Sequence, residues 1–179
     1  MLLKLVVYLS PVYLGLVYYL YFLIHHKDRR LQNKAITFFF VFYIISVIYL
    51  TLFPFPLDKR GLDQIQLYGF SFSNINLIPF KTSMSQKQAF LNFVMLFPLG
   101  IFAPIIFKKS TTSTILTILF LIPLSIEVIQ GTVSWLLQGL WKQADINDFL
   151  LNACGALLGL LLFHVFIKLF PTLRKFLFA

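Results

Sequence analysis

Hydrophobic residues occur along this chain in five long runs that are separated by short polar segments. A transmembrane helix needs about 20 mostly apolar residues, and each run is close to that length. The predicted spans are residues 5–24, 35–53, 89–107, 111–130 and 146–170. The alternating apolar and polar positions of a membrane β-barrel are missing. The pattern therefore predicts an all-α, polytopic transmembrane bundle of about five spans, with residues 1–179 forming a single domain.

Helix-breaking residues set the predicted ends of three spans. Pro54 follows the second run, Gly131 follows the fourth and Pro171 follows the fifth. Glycine and proline are the strongest local signals for the end of a helix. We therefore expect the fourth span to end at Gln130 and residues 132–142, which contain two tryptophans, to lie as a short stretch at the membrane interface.

Composition agrees with a membrane environment. The chain is 59% hydrophobic and 12% charged, whereas soluble domains average about 45–50% apolar and 25% charged residues. The net charge of +9 comes from short basic bursts between apolar runs, which argues against nucleic acid as a partner. The single cysteine, Cys154, excludes a disulfide within the chain and a cysteine metal site. No cofactor is expected, because phosphate-loop and HExxH motifs are missing.

The basic residues predict the orientation of the bundle. Nine of them fall on one side of the predicted membrane and six on the other, and the richer side of a membrane protein is usually cytoplasmic. The N-terminus is therefore expected outside and the C-terminus inside. The basic segment 25–34 is interpreted as a topology signal, and contact with anionic lipid headgroups is the alternative.

Polar side chains gather at what this orientation makes the outer ends of the helices. Polar and ionisable groups within a membrane are costly and usually face the bundle interior. The sequence therefore predicts one outward-facing polar pocket with a ligand-binding role. Its candidate residues are Asn76, Asn92, Glu127, Gln130, Lys142, Asp145, Asp148 and Asn152.

The last span carries a stripe of unusual residues with alternating spacings of three and four. Because this spacing keeps side chains on one helical face, the stripe is polar at its outer end and lacks side chains deeper down. Gly155 and Gly159 form a GxxxG pattern, which lets another helix approach closely. The stripe consists of Asp145, Asp148, Asn152, Gly155 and Gly159.

Three acidic residues have competing interpretations. Asp145 is either an N-cap of the last helix or a functional group, and function is favoured for Asp148. Glu127 lies in an apolar helix near its predicted C-terminus, where the helix dipole disfavours a negative charge. A functional role is favoured for Glu127 and a structural clamp is the alternative. Its expected partners are Asn92, Gln130 and Lys142.

Together these segments resemble the VanZ-like family of bacterial membrane proteins. The resemblance lies within about 74–162 and is carried by three blocks: residues 76–80 (NLIPF), residues 92–100 (NFVMLFPLG), and residues 127–130 (EVIQ) with 144–148 (ADIND) and 152–155 (NACG). It implies a multi-pass protein of the bacterial cytoplasmic membrane. The family's namesake is associated with low-level resistance to teicoplanin, a lipid-anchored glycopeptide.

Two functional hypotheses follow. In the first, the pocket binds an amphiphile, either a lipoglycopeptide or a lipid-linked cell-wall precursor, with membrane lipids as further partners, and so lowers susceptibility to teicoplanin-like compounds. In the second, the protein is an enzyme that acts on a lipid-linked envelope substrate. Glu127 and Asp148 would then be its catalytic acid and base, or would hold a divalent cation with Asp145. A transporter is disfavoured, because transporter sites usually lie near the membrane midplane.

Overall fold

Helices are the only extended secondary structure in the part of the chain that the structure describes. A computed structural model describes residues 2–26, 31–81 and 84–178. The predicted all-α fold is confirmed. The helices are α1 Leu2–His25, α2 Leu31–Leu52, α3 Lys59–Gln66, a short 3-10 helix Phe72–Asn74, α4 Gln86–Met95, α5 Phe97–Ile106, α6 Thr112–Leu136, α7 Ile146–Leu169 and α8 Pro171–Phe178.

Four helical segments are long and apolar enough to cross a membrane. They are Asn33–Leu52, Gln86–Ile106, Thr112–Leu136 and Ile146–Leu169, and Leu9–His25 is a shorter apolar helix. The chain is therefore a multi-pass membrane protein, as predicted. The orientation stays a prediction, and residues 27–30 of the basic segment lie outside the described residues.

The third predicted span is broken into α4 and α5 at Leu96. Pro98 has no N–H to donate to the carbonyl four residues earlier, and its ring clashes with that carbonyl. The Leu99 N–H donates instead to the Leu96 carbonyl (3.1 Å), which leaves the Met95 carbonyl without its helical donor. The Tyr43 hydroxyl of α2 donates to this carbonyl (3.0 Å), so a neighbouring helix supplies the hydrogen bond that is lost at the break.

The predicted end of the fourth span at Gln130 is wrong. Helix α6 continues through Gly131 to Leu136. One glycine inside a helix costs only about 1 kcal/mol relative to alanine, and the buried Ser134 (1% exposed) anchors the following turn. Part of the predicted interfacial stretch is therefore the last turn of α6. Helices α3 and α8 were also not predicted.

Helix α7 lies at the centre of the bundle and packs closely against α4 and α5. A methyl group built on Gly155 would lie 1.8 Å from the Phe93 carbonyl oxygen, and one on Gly159 would lie 2.1 Å from the Phe97 carbonyl oxygen. The close approach expected of the GxxxG pattern is therefore present. Leu96, Leu99 and Ala156 are buried beside it. This contact fixes the position of the first turns of α7 relative to α4.

Candidate binding site at one end of the bundle

The segment 76–80 is hydrogen-bonded to residues 144–146, where α7 begins. The Asn76 N–H donates to the Ala144 carbonyl (2.9 Å), and the Ile146 N–H donates to the Asn76 carbonyl (2.9 Å). The Asn76 side-chain amide also donates to Asp145 Oδ1 (2.8 Å). Asn76 is 5% exposed. Two of the sequence blocks thus form one rigid corner, in which Asn76 has a structural position.

Asn147 completes this corner and was missed by sequence reasoning. Its side-chain oxygen accepts a hydrogen bond from the Phe80 N–H (2.8 Å), and Asn147 is 7% exposed. Phe80 has a φ of 61°, a left-handed conformation that is unfavourable for a bulky residue. The hydrogen bond that the Phe80 N–H donates to Asn147 helps to hold that conformation. The sequence signal that could have identified Asn147 is its position as a polar residue in the first turn of an apolar helix.

Asp145 is the N-cap of α7, which confirms the capping alternative. Its Oδ1 accepts a hydrogen bond from the Asn147 N–H (2.8 Å), and its backbone is extended, as an N-cap requires. Asp148 lies in the first turn of the helix and accepts a hydrogen bond from the side-chain amide of Asn92 on α4. Asp148 thus joins α4 and α7 just outside the glycine contact.

Glu127 contacts the same helix terminus. Its Oε2 accepts a hydrogen bond from the Asp145 N–H (2.9 Å), and the residue is 7% exposed. Since α6 continues to Leu136, Glu127 is not in the last turn of its helix, contrary to prediction. Its carboxyl group lies instead beside the N-terminus of α7, where the helix dipole favours an acidic group. The hydrogen bond from the backbone N–H offsets part of the cost of burying this acidic group.

Gln130 and Lys142 donate hydrogen bonds to the end of α2. Of the partners expected for Glu127, Lys142 is confirmed through its electrostatic interaction with that carboxyl group, whereas Gln130 is not among the hydrogen-bond partners that the structure gives Glu127. Gln130 Nε2 and Lys142 Nζ both donate to the Thr51 carbonyl, at 2.9 and 2.6 Å. Burial lowers the pKa of the Lys142 ammonium, and the nearby Glu127 carboxyl raises it in part. A cation at a helix C-terminus is also favoured by the dipole. The third expected partner, Asn92, binds Asp148 instead.

These side chains surround a polar cavity of about 310 Å³. Of the eight predicted ligand-binding residues, seven line it and Asn76 does not. The prediction that the polar groups gather at one end of the bundle is therefore confirmed, while their ligand-binding role stays a prediction. The lining residues are Leu50, Thr51, Gln88, Asn92, Met95, Ile126, Glu127, Gln130, Lys142, Gln143, Asp145, Asp148 and Asn152.

Asn152 is the most buried polar residue that lines this polar cavity and is 1% exposed. Its side-chain oxygen has no hydrogen-bond partner among the described residues. A buried polar atom without a partner costs about 1–3 kcal/mol. Asn152 therefore places an unsatisfied hydrogen-bond acceptor in the wall of the cavity.

An apolar groove adjoins the polar cavity. Its volume is about 290 Å³, and Glu127 and Asp145 line both spaces. Leu124, Val128 and Phe149 provide much of its apolar wall. A polar compartment and an apolar compartment thus meet at one pair of acidic residues.

The three acidic residues do not form the cation site that their residue types allowed. Within residues 2–26, 31–81 and 84–178, no group of three or more histidine, cysteine or acidic side chains is placed to hold a metal ion. Asp145 Oδ1 is shared by Asn76 and Asn147, and Glu127 Oε2 is directed at a backbone N–H. The site is organised by amides and N–H donors.

The comparisons with known proteins identify one family. A family model described as VanZ/LLP1 matches residues 40–167, which is well over half of the chain and extends from α2 to α7. The match contains all three sequence blocks and the whole lining of the polar cavity. No curated protein and no solved structure matches the chain.

Proposed function

The chain belongs to the VanZ/LLP1 family, and from this premise we propose that it binds an envelope amphiphile at the polar cavity. The ligand is a lipoglycopeptide of the teicoplanin type or a lipid-linked cell-wall precursor. The protein acts in the bacterial cytoplasmic membrane, with the cavity facing outward. Binding there limits access of the antibiotic to its target and lowers susceptibility.

The unsatisfied Asn152 oxygen is the observation that carries this proposal. Asn152 lines the same cavity as three acidic side chains and one lysine, and its oxygen is buried without a partner among the described residues. Because the lysine donates to carbonyls of α2, the remaining chemistry favours a ligand that donates hydrogen bonds. An ammonium or hydroxyl group of a head group fits this requirement.

The size of the polar cavity restricts what enters it. Ligand pockets usually measure about 300–1,000 Å³, and this one is at the lower end, at about 310 Å³. It takes one donor-bearing group of a large head group and not a whole glycopeptide. The adjoining apolar groove of about 290 Å³ offers a surface for part of an acyl chain. Polar and apolar spaces side by side suit an amphiphile.

A second candidate function is catalysis on a lipid-linked substrate. The observation in its favour is that Glu127 and Asp148, on different helices, line the same cavity. Two carboxyl groups in different surroundings can divide acid and base roles. Glu127 faces a backbone N–H, whereas Asp148 faces a side-chain amide. The two candidates differ in whether the ligand is chemically changed.

The test uses charge-removing variants that keep shape. Glu127→Gln and Asp148→Asn remove an acidic group from the polar cavity. Asp63→Asn is the matched control, because Asp63 is exposed on α3 and outside the cavity. Cells that express each variant are compared for susceptibility to teicoplanin and to a glycopeptide without an acyl chain. Folded yield in mild detergent is measured from the same membranes.

We expect the unmodified protein and Asp63→Asn to lower teicoplanin susceptibility, and the two cavity variants to lose that effect at normal yield. Mass spectrometry of the ligand after incubation with purified protein separates the two candidates. An unchanged ligand mass supports binding, and a changed mass that depends on Glu127 supports catalysis. If the unmodified protein leaves susceptibility unchanged, or if both cavity variants behave like the control, the proposal is wrong.

A further inference from the structure

We propose that residues 77–80, in the connection between the 3-10 helix and α4, lie within the membrane beside the polar cavity and contact the acyl chains of phospholipids. In this segment Leu77 is 74% exposed, Ile78 57% and Phe80 89%. Single exposed apolar residues are common, but a group of them usually marks an interaction surface. The position of the segment along the helices identifies lipid as the partner of this surface.

The contact with α6 sets the depth of the segment. Leu77 lines the apolar groove together with residues of α6 between Leu124 and Thr132. Helix α6 has 25 residues and is therefore about 37 Å long, whereas the hydrocarbon core is about 30 Å thick. Only the last turn of α6, about 6 Å, follows Thr132. With α6 centred on the membrane, the groove therefore lies beside the part of α6 that crosses the hydrocarbon core.

The neighbouring surface of α6 faces lipid at this level. Val128 is 57% exposed on this helix and lines the same groove as Leu77. Trp135 is also exposed and lies farther along α6, and tryptophan is enriched at membrane–water interfaces. Leu77 is thus level with a lipid-facing side chain and lies on the membrane side of Trp135. A soluble partner would have to displace lipid to reach it.

The backbone of the segment is suited to a site with little water. Irregular backbone is tolerated in a membrane only where its polar groups find partners. The Ile78 N–H donates to Asn76 Oδ1 (3.3 Å), and the Phe80 N–H donates to Asn147 Oδ1 (2.8 Å). Pro79 has no N–H to satisfy. Two of the three N–H groups of the segment are therefore satisfied by side chains of the protein, which fits the boundary between acyl chains and headgroups.

Lys81 gives the segment a polar end. It follows Phe80 directly and is exposed. A lysine near a membrane surface lays its apolar stem along apolar neighbours and extends its charged head to the headgroups. The segment thus has apolar side chains for the acyl chains and a cation for the headgroup level. The apolar groove, whose wall includes Leu77, then opens to acyl chains and not to water.

The experiment measures the membrane depth of single nitroxide labels by electron paramagnetic resonance. The full chain carries Cys154→Ala and one new cysteine, and it is reconstituted in phosphatidylcholine vesicles. Leu77→Cys and Phe80→Cys place labels in the segment, Val128→Cys is the lipid-facing reference, and Asp63→Cys is the control at an exposed residue of α3. Oxygen, which concentrates in lipid, is compared with a water-soluble nickel chelate. Size-exclusion chromatography before reconstitution shows that each labelled variant is folded.

We expect the ratio of oxygen to nickel accessibility at positions 77 and 80 to be close to the ratio at 128 and well above the ratio at 63. A ratio at 77 and 80 equal to that at 63 would place the segment in water and overturn the proposal. Low accessibility to both reagents would show that protein, such as a second copy of this chain, covers the segment, and would also overturn it. None of these outcomes depends on the ligand of the polar cavity, so this test and that of the proposed function fail separately.

Discussion

Adding one methyl group at Gly155 should separate α4 from α7. A methyl group at this position would lie 1.8 Å from the Phe93 carbonyl oxygen and 2.9 Å from its carbonyl carbon. Close carbon–oxygen contacts between helices are about 3.3–3.6 Å, so the methyl group of Gly155→Ala is about 1.5 Å too close. The obstructing atom is backbone and has no rotamer to adopt, so a helix must move.

The expected cost follows from two opposing terms. Overpacking a well-packed core costs about 1–3 kcal/mol, and a backbone obstruction belongs at the upper end. Replacing glycine by alanine within a helix returns about 0.5–1 kcal/mol. The net loss is therefore about 2 kcal/mol for Gly155→Ala and larger for Gly155→Leu. For a chain of this size, such a loss lowers the melting temperature by about 4–8 °C.

Gly131→Ala provides the matched control. It adds the same methyl group inside α6, where the nearest atom is the Ala144 side-chain methyl at 3.2 Å. This contact is tight but involves a side chain, and the gain in helix propensity opposes it. We expect its melting temperature to stay within about 2 °C of the unmodified protein.

The assay is thermal unfolding in mild detergent, followed by the loss of the monodisperse peak in size-exclusion chromatography. A melting temperature for Gly155→Ala equal to that of Gly131→Ala would refute the reasoning. It would mean that α4 and α7 are farther apart than described and that the contact between Asn92 and Asp148 does not depend on the glycine.

Three further predictions concern the orientation of the bundle, the contact of Asn76 with the start of α7 and the turn that follows α6. In a Cys154→Ala background, a cysteine at Lys59 should react with an impermeant thiol reagent on intact cells and one at Lys109 should not, because basic bursts stay cytoplasmic; the reverse pattern would invert the orientation. Asn76→Ala should lower the free energy of unfolding by about 1–3 kcal/mol, because a buried amide that joins two segments (2.8 Å) is lost, and unchanged thermal unfolding would contradict this. Ser134→Ala should lower the free energy of unfolding by a similar amount, because the Ser134 hydroxyl donates to the Lys142 carbonyl (2.7 Å) and accepts from the Lys142 N–H (3.0 Å). A normal melting temperature would show that these two hydrogen bonds make no net contribution to stability.

The sequence by itself determined that the chain lies in a membrane, that its fold is all-α and which residues share a helical face. Long apolar runs with few charges require a membrane, since a membrane helix satisfies its own backbone hydrogen bonds. The spacing from Asp148 to Gly159 placed amide, acid and glycines on one face, because helical periodicity is a local property. The rarity of polar residues in these runs also indicated where the polar cavity would lie. These conclusions depend on the neighbours of each residue along the chain.

Only the tertiary structure decided which polar groups pair. Glu127 accepts from the backbone of Asp145, and Gln130 and Lys142 meet at the Thr51 carbonyl. Backbone carbonyl groups are present at every residue and N–H groups at every residue except proline, so the sequence pattern could not single them out as partners. The end of α6 was likewise settled by packing around the buried Ser134, which overrode the weak signal of one glycine. Local periodicity gives the direction of a side chain, but its partner depends on which helix end is brought to it in three dimensions.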